Sequence, residues 1–290
     1  QAVSGKEIGY LGLLFNFNVP GEVSINAPGF VRDLLSSCRK PGFAVTPATD
    51  NLFVMRKDVL PALSEEDKIY FHSHVAKLLY YAKRPRPDIL LPTQVLSTKV
   101  TCPDADDMNK LHRVLSYINS TSERGIVLRI GSMGFVVRSY IDAAYHVHGD
   151  GKSHTGCSVT VGDTGPIYMR SAKQRIVTKS STEAELVALS DSANVPIHTA
   201  NFLRAQGYDV PKVILYQDNK SAIALIKKGR STSDLTKHIS LRYFWLNERE
   251  KNNEVAYEFC PSAVMHANLL TKPVQGAQFS IERESLTGWK

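Results

Sequence analysis

The sequence predicts an α/β fold in two parts: a mainly helical stretch, then a mixed five-stranded sheet with helices packed on it. Three observations predict it. Between Ser64 and Ile118 apolar residues recur at helical spacing. Beyond the turn-like stretch 131–134, alternating runs bounded by Gly and Asp turn signals take over. There the elements read β-β-β-α-β-α-α-β-α, an order that builds one sheet with helices on it. With 290 residues there is length enough for two ordinary domains. The change of pattern sets the expected division at 1–133 and 134–290.

The first part opens with an apolar, aromatic strand over 8–17, a Pro20-Gly21 turn and a resumed strand at 23–25. A short amphipathic helix is expected over 30–36 and a Pro-, Thr- and Asp-rich loop over 40–62. Ser64 followed by Glu65, Glu66 and Asp67 starts a helix with acids where the dipole favours them. Tyr70, Val75, Leu78, Leu79 and Ala82 mark its buried stripe, and Arg84-Pro-Arg-Pro-Asp88 ends it. A second helix follows over 89–98. A third starts at Pro103-Asp104 and buries Met108, Leu111, Val114, Leu115 and Ile118, and a strand closes the part at 125–130.

In the second part strands are expected over 135–147, 155–161 and 166–169, the last two joined by Gly162-Asp-Thr-Gly165. The central helix starts at Ser180. Ser180 with Glu183 three residues on fits a capping box, which gives Glu183 a structural role. Pro196 predicts a kink or break. A strand at 213–216, helices at 219–228 and 238–251, a strand at 255–260 and a short helix at 264–270 complete the chain.

Composition narrows the class. The chain is 43% hydrophobic and 22% charged, ordinary for a globular protein, and no long uncharged apolar run predicts a membrane-spanning helix. Cys38, Cys102, Cys157 and Cys260 are scattered without a C-x-x-C pair, so neither a zinc site nor a disulfide framework is expected, and a reducing, intracellular setting is. The net charge of +7 is spread over both parts, which allows a nucleic-acid partner without demanding one. The N-terminal Gln-Ala-Val-Ser-Gly-Lys-Glu has no signal-peptide pattern and no Met, so the chain is expected to be a piece of something longer.

Three acids fall where they suit a shared site. Asp142 lies mid-strand among apolar or small residues, an expensive place for a charge unless it is paired or binds metal. Glu185 sits one turn into the central helix beside Leu186 and Leu189. Asp218 ends a strand and precedes a helix, at the sheet edge where ligands usually bind. Each has a plain alternative: an edge-strand solubility device for Asp142, a solvated helix acid for Glu185, a helix N-cap for Asp218. Together, as oxygen ligands, they suit Mg²⁺ or Mn²⁺.

The segment from Tyr140 to Pro273 resembles the ribonuclease H domain of copia-type LTR retrotransposon polyproteins. The residues that carry the resemblance are Tyr140-Ile-Asp142-Ala-Ala, Ser153-His-Thr-Gly156, Ser171-Ala-Lys-Gln174, Lys179-Ser-Ser-Thr-Glu-Ala-Glu-Leu186, Tyr216-Gln-Asp-Asn-Lys-Ser-Ala222, Thr236-Lys-His-Ile239 and Leu270-Thr-Lys-Pro273. Tyr10-Leu-Gly12, Leu79-Tyr-Tyr81, Arg86-Pro-Asp88 and Val114-Leu-Ser-Tyr117 resemble the region downstream of the reverse transcriptase palm in the same polyproteins. The resemblance implies a thumb- or connection-like reverse transcriptase C-terminal region over 1–133 and a ribonuclease H-like domain over 134–290. It also implies hydrolysis of the RNA strand of RNA–DNA hybrids with two Mg²⁺ or Mn²⁺ ions. The expected partners are the hybrid and the upstream palm and fingers of the same polyprotein. The expected setting is cytoplasmic, in virus-like particles, or nuclear, with no membrane. The family's polymerase aspartates lie upstream of Tyr10, so no DNA synthesis is expected from this chain.

By the same resemblance Asp142, Glu185 and Asp218 are three of four metal ligands and catalytic residues. The fourth position holds Asn268, where the family has Asp. An Asn carbonyl still coordinates a hard cation but carries no charge, so a weaker second ion is expected. His266, close to Asn268 in sequence, is a candidate to assist product release, as a mobile histidine does in some related ribonucleases H. Two basic groups are natural phosphate contacts: Lys173, Arg175 and Lys179 with Arg170 before the central helix, and Lys227, Lys228, Arg230 and Lys237 around a later loop. Asn219 and His238 join them as nucleic-acid contacts, and the RNA 2′-hydroxyl would separate RNA from DNA. Solvated loops are the plain alternative. A degenerate remnant that binds nucleic acid or a partner without cutting is the rival function, motivated by Asn268. A transposase or integrase is set aside, because its acids run Asp, Asp, Glu and these run Asp, Glu, Asp.

Overall fold

The computed structural model describes residues 4–54, 62–132, 134–162, 165–229 and 240–289. They form two compact units, one of residues 1–128 with 273–290, the other of residues 129–272.

In the first unit, β1 (Glu7–Tyr10), β2 (Leu13–Asn16), β3 (Glu22–Asn26) and β4 (Ile126–Arg129) form a sheet in that order. The strand expected over 8–17 is thus a hairpin. It reverses at Leu11-Gly12, with φ of 50° and 75°, a pair of left-handed residues that matches the twist of the strands it joins. The helices are α1 (Pro28–Ser36), α2 (Glu65–Ala82), α3 (Leu90–Ser97) and α4 (Ala105–Ser120). Local caps set two of the starts. Ser64 Oγ accepts from Asp67 N, and Asp104 and Asp107 cap each other's backbone N–H at α4.

A fully buried ion pair crosses the core of this unit. Arg86 Nε and Nη2 each donate to an Asp88 carboxylate oxygen at 2.9 Å, and Tyr117 Oη donates to Asp88 Oδ2 at 2.6 Å. Burial works against the charge on both groups, but each partner's charge outweighs it. Asp88 is held below the usual carboxylate range and Arg86 above its own. Residues 273–290 belong here and not with the second unit. Their helix, Gly276–Thr287, sets Phe279 edge-on to Tyr117 with centroids 5.7 Å apart, and Arg283 Nη1 lies 3.4 Å from Tyr117 Oη. The expected division at 133/134, with everything after it in one domain, is corrected accordingly.

The second unit is the mixed five-stranded sheet expected. Its strands are β5 (Val137–Ala144), β6 (His154–Val161), β7 (Pro166–Lys173), β8 (Val213–Gln217) and β9 (Val255–Phe259), in the order β7-β6-β5-β8-β9. The β5–β6 and β6–β7 pairs are antiparallel, while β5–β8 and β8–β9 are parallel. β5 stops three residues short of the expected end because His146 turns with φ of 54°. Helices α5 (Ser181–Ser192), α6 (Asn194–Ala205), α7 (Lys220–Lys228) and α8 (Ser240–Lys251) flank the sheet. The break falls at Ala193, so Pro196 lies in the first turn of α6, where a missing N–H costs little. Val137, Ile141, Leu186, Leu189, Leu215, Ile226 and Leu246 are buried between the layers. The helix expected over 264–270 is two short 3₁₀ turns, Ser262–Val264 and Asn268–Leu270.

Candidate metal centre

The site is built where the middle strand, its parallel neighbour and α5 converge. Asp142 is 1% exposed on β5, the central strand, which removes the edge-strand explanation. Glu185 projects from α5 and is buried. Asp218 follows β8, and it is not the cap of α7. Asn219 takes that role, its Oδ1 accepting from Ala222 N at 3.0 Å, which leaves the Asp218 carboxylate for the cluster. Ligand oxygens of Asp142, Glu185 and Asp218 all lie within 4.8 Å of one another.

Glu183, the neighbouring acid on α5, is spent on the helix end. Ser180 Oγ accepts from Glu183 N at 3.2 Å, and Glu183 Oε2 accepts from Lys179 N at 2.8 Å. The carboxylate therefore reaches one residue before the N-cap, a displaced version of the expected capping box.

Each ligand candidate is held by a neighbour that sequence reasoning did not single out. Gln217 Nε2 donates to Glu185 Oε2 at 3.1 Å, and Ser262 Oγ donates to Asp218 Oδ2 at 2.7 Å. Thr271 Oγ1 donates to Asp142 Oδ2. Lys272 Nζ lies 3.1 Å from Asp142 Oδ2 and 3.2 Å from Oδ1. Their signal was present, since Gln217, Thr271 and Lys272 all fall inside the motifs that carry the family resemblance. Asn268 joins the same group. Its Nδ2 donates to Ser262 O at 2.6 Å, and its Oδ1 accepts from Lys272 Nζ at 3.2 Å.

The turn bearing Asn268, Thr271 and Lys272 reaches Asp142 because Gly156 faces Asp142 across β5–β6. A Cβ at Gly156 would stand 2.7 Å from Thr271 Cγ2 and 2.9 Å from Ala267 O. Only a glycine lets the turn approach this closely.

The electrostatics follow from the count of charges. Burial first, then the charges of Asp142 and Asp218, push the Glu185 carboxyl well above its usual range, against the pull of Gln217 and Lys272. Burial would lower the Lys272 pKa, but Asp142 outweighs it and holds it raised. One ammonium against three clustered acids leaves a deficit that a divalent cation with oxygen ligands would fill.

Beyond the cluster, the expected contacts scatter. Lys173 Nζ pairs with Asp150 Oδ2 at 2.8 Å. Arg170 Nη1 donates to Asp191 O at 2.8 Å. Arg175, Lys179, Lys227 and Lys228 are exposed. Arg230, Lys237 and His238 lie outside the described residues. His266 stacks on Tyr140 with centroids 4.1 Å apart, and Tyr140 stacks in turn on Tyr216 at 4.8 Å. Burial lowers its pKa to about 4. His266 is thus a packed ring in this structure.

No family model matches the chain. The Pol polyprotein of the tobacco transposon TNT 1-94 (Nicotiana tabacum) is 29% identical over 244 residues, 82% of this chain and 18% of that polyprotein. The chain is thus similar to the Pol polyproteins of plant and yeast transposons, in line with the resemblance read from its motifs. It spans less than a fifth of the length of the curated relatives it matches first. A Plasmopara viticola protein named secreted RxLR effector protein 161 is 33% identical over 121 residues, 41% of this chain and 84% of that one. Among solved structures, a foamy viral protease–reverse transcriptase shares the fold over 89% of this chain and 29% of its own, with a TM-score of 0.53 and 12% identity. The sheet order and flanking helices give the second unit the ribonuclease H-like fold expected.

Proposed function

We propose that the second unit hydrolyses the RNA strand of RNA–DNA hybrids. The carrying observation is the convergence of Asp142, Glu185 and Asp218 within 4.8 Å on a ribonuclease H-like sheet. Asp142, Glu185 and Asp218 would hold Mg²⁺ or Mn²⁺, with the Asn268 carbonyl oxygen as an uncharged fourth ligand. When bound, such ions polarise the scissile phosphate and ease deprotonation of the attacking water. The chain's own residues prepare the site. Gln217, Ser262 and Thr271 fix the carboxylate orientations by donating to them. Arg175, Lys179, Lys227 and Lys228 offer exposed cations for the phosphate backbone, with Lys173 and Asn219 nearer the strand ends. The foamy viral enzyme was solved with an RNA/DNA hybrid, and we extend that substrate class to this chain. The palm and fingers of the same polyprotein would supply its partner, inside the cell.

The test is Mg²⁺- or Mn²⁺-dependent cleavage of a labelled hybrid by the chain and by Asp142→Asn. The variant is expected to cut at least about 10³-fold more slowly, the scale of several kcal/mol of lost charge stabilisation. One observation favours a second reading, binding without cleavage. The fourth ligand position is neutral, and its oxygen already accepts from Lys272. Hybrid affinity unchanged by Asp142→Asn, with no metal-dependent product from folded protein, would replace the first reading with the second.

A further inference from the structure

Lys272 is not among the residues proposed to hold the ions, yet its ammonium sits inside the acid cluster. Its three donors meet an Asp142 carboxylate at 3.1 and 3.2 Å and Asn268 Oδ1 at 3.2 Å. Asn268 presents its oxygen and not its nitrogen because Nδ2 is engaged by Ser262 O at 2.6 Å. Asp142 and Asn268 together carry one negative charge, which one ammonium neutralises. Among the described residues no basic group forms an ion pair with Glu185 or Asp218, which feel Lys272 only at longer range.

We infer that Lys272 is a tethered cation occupying the Asp142–Asn268 side of the cluster. A first divalent ion then binds freely against Glu185 and Asp218. A second binds only by displacing the ammonium. Displacement is open to it, because the Lys272 side chain is 44% exposed and its four-carbon stem is flexible. The neutral amide at position 268 and the lysine four residues on act as a pair: losing a carboxylate matches the charge of that side to a single ammonium. The inference rests on the metal-binding reading of the site.

The experiment counts Mn²⁺ bound to the full chain without nucleic acid, by calorimetric titration and by the electron paramagnetic resonance of free Mn²⁺. It compares the parent with Lys272→Met, Lys272→Gln and Asp142→Asn, each checked for folding by circular dichroism. Either Lys272 variant is expected to take a second Mn²⁺ about tenfold more tightly than the parent, with the first step little changed, since a unit charge in contact has been removed. Asp142→Asn is expected to lose the second step. Second-ion affinity unchanged or weakened in both Lys272 variants overturns the inference while the first step keeps the metal site standing. A folded parent that binds no Mn²⁺ in an Asp142-dependent way overturns the site itself, and the inference with it.

Discussion

Asp88 in the first unit and Asp142 in the second are both almost inaccessible, 2% and 1% exposed, yet their surroundings differ in charge balance. Asp88 meets one guanidinium in a two-pronged pair and a tyrosine hydroxyl, so the charges cancel and the lone pairs are satisfied. Asp142 shares its corner with Glu185 and Asp218, and a single half-exposed ammonium answers all three. A balanced buried acid is scaffold. Several acids gathered at a rigid junction with too little positive charge are poised for a cation that the chain does not itself supply.

Stability measurements put the largest strain on this contrast. Asp88→Ala leaves Arg86 charged in the core without its counter-ion, with only Thr121 to accept from it, and chemical denaturation is expected to show a loss of about 3–5 kcal/mol. Asp142→Asn removes like-charge repulsion along with a half-exposed ion pair, so its cost without metal should stay under about 1 kcal/mol. Equal losses in the two variants would erase the distinction.

Asn268→Asp sharpens the second half of the contrast. It adds a fourth carboxylate to an already acidic corner, and the Mg²⁺ concentration for half-maximal cleavage is expected to fall about tenfold. A titration that does not move would mean that position 268 does not contribute to ion binding.

The pH dependence of unfolding gives a comparable but gentler test. His154 is buried against His148 and Ser171, and burial, then His148, lowers its pKa from 6.5 to about 3. A base with a depressed folded pKa is neutral in the fold and takes up a proton on unfolding. Stability is therefore complete above pH 6.5 and lost as pH falls toward about 3. The slope approaches about 1.4 kcal/mol per pH unit for one proton. Urea denaturation of His154→Gln between these limits should show that slope reduced by one proton, and an unchanged slope would assign the acid sensitivity elsewhere.

The smallest effect is expected at the surface. Lys227→Ala and Lys228→Ala should each lower the salt dependence of hybrid binding by about one counterion while leaving the maximal rate alone. No change in the salt slope would make them solvated helix ends, placed by the dipole of α7 alone.

Much of this was legible because it is local. Ser64, Asp104 and Ser180 start helices through contacts two to three residues away, and the alternation of β5, β6 and β7 is visible within each strand. The hairpin at Leu11-Gly12 was hidden inside one apolar run, where period alone does not show a reversal. Choosing Glu185 over Glu183 came from the family motif, and the structure supplies the physical reason: Glu183 is tied to Lys179 N.

By itself, then, the sequence determined the order of strands and helices over 137–259, the three acids and the resemblance to copia-type polyproteins. All of these are written in short spacings along the chain. The tertiary structure alone decided that residues 273–290 fold with the first unit and that Lys272 stands against Asp142. Those outcomes depend on which distant segments a glycine-wide gap or a shared core brings together, and no periodicity records a contact between residues far apart in the chain.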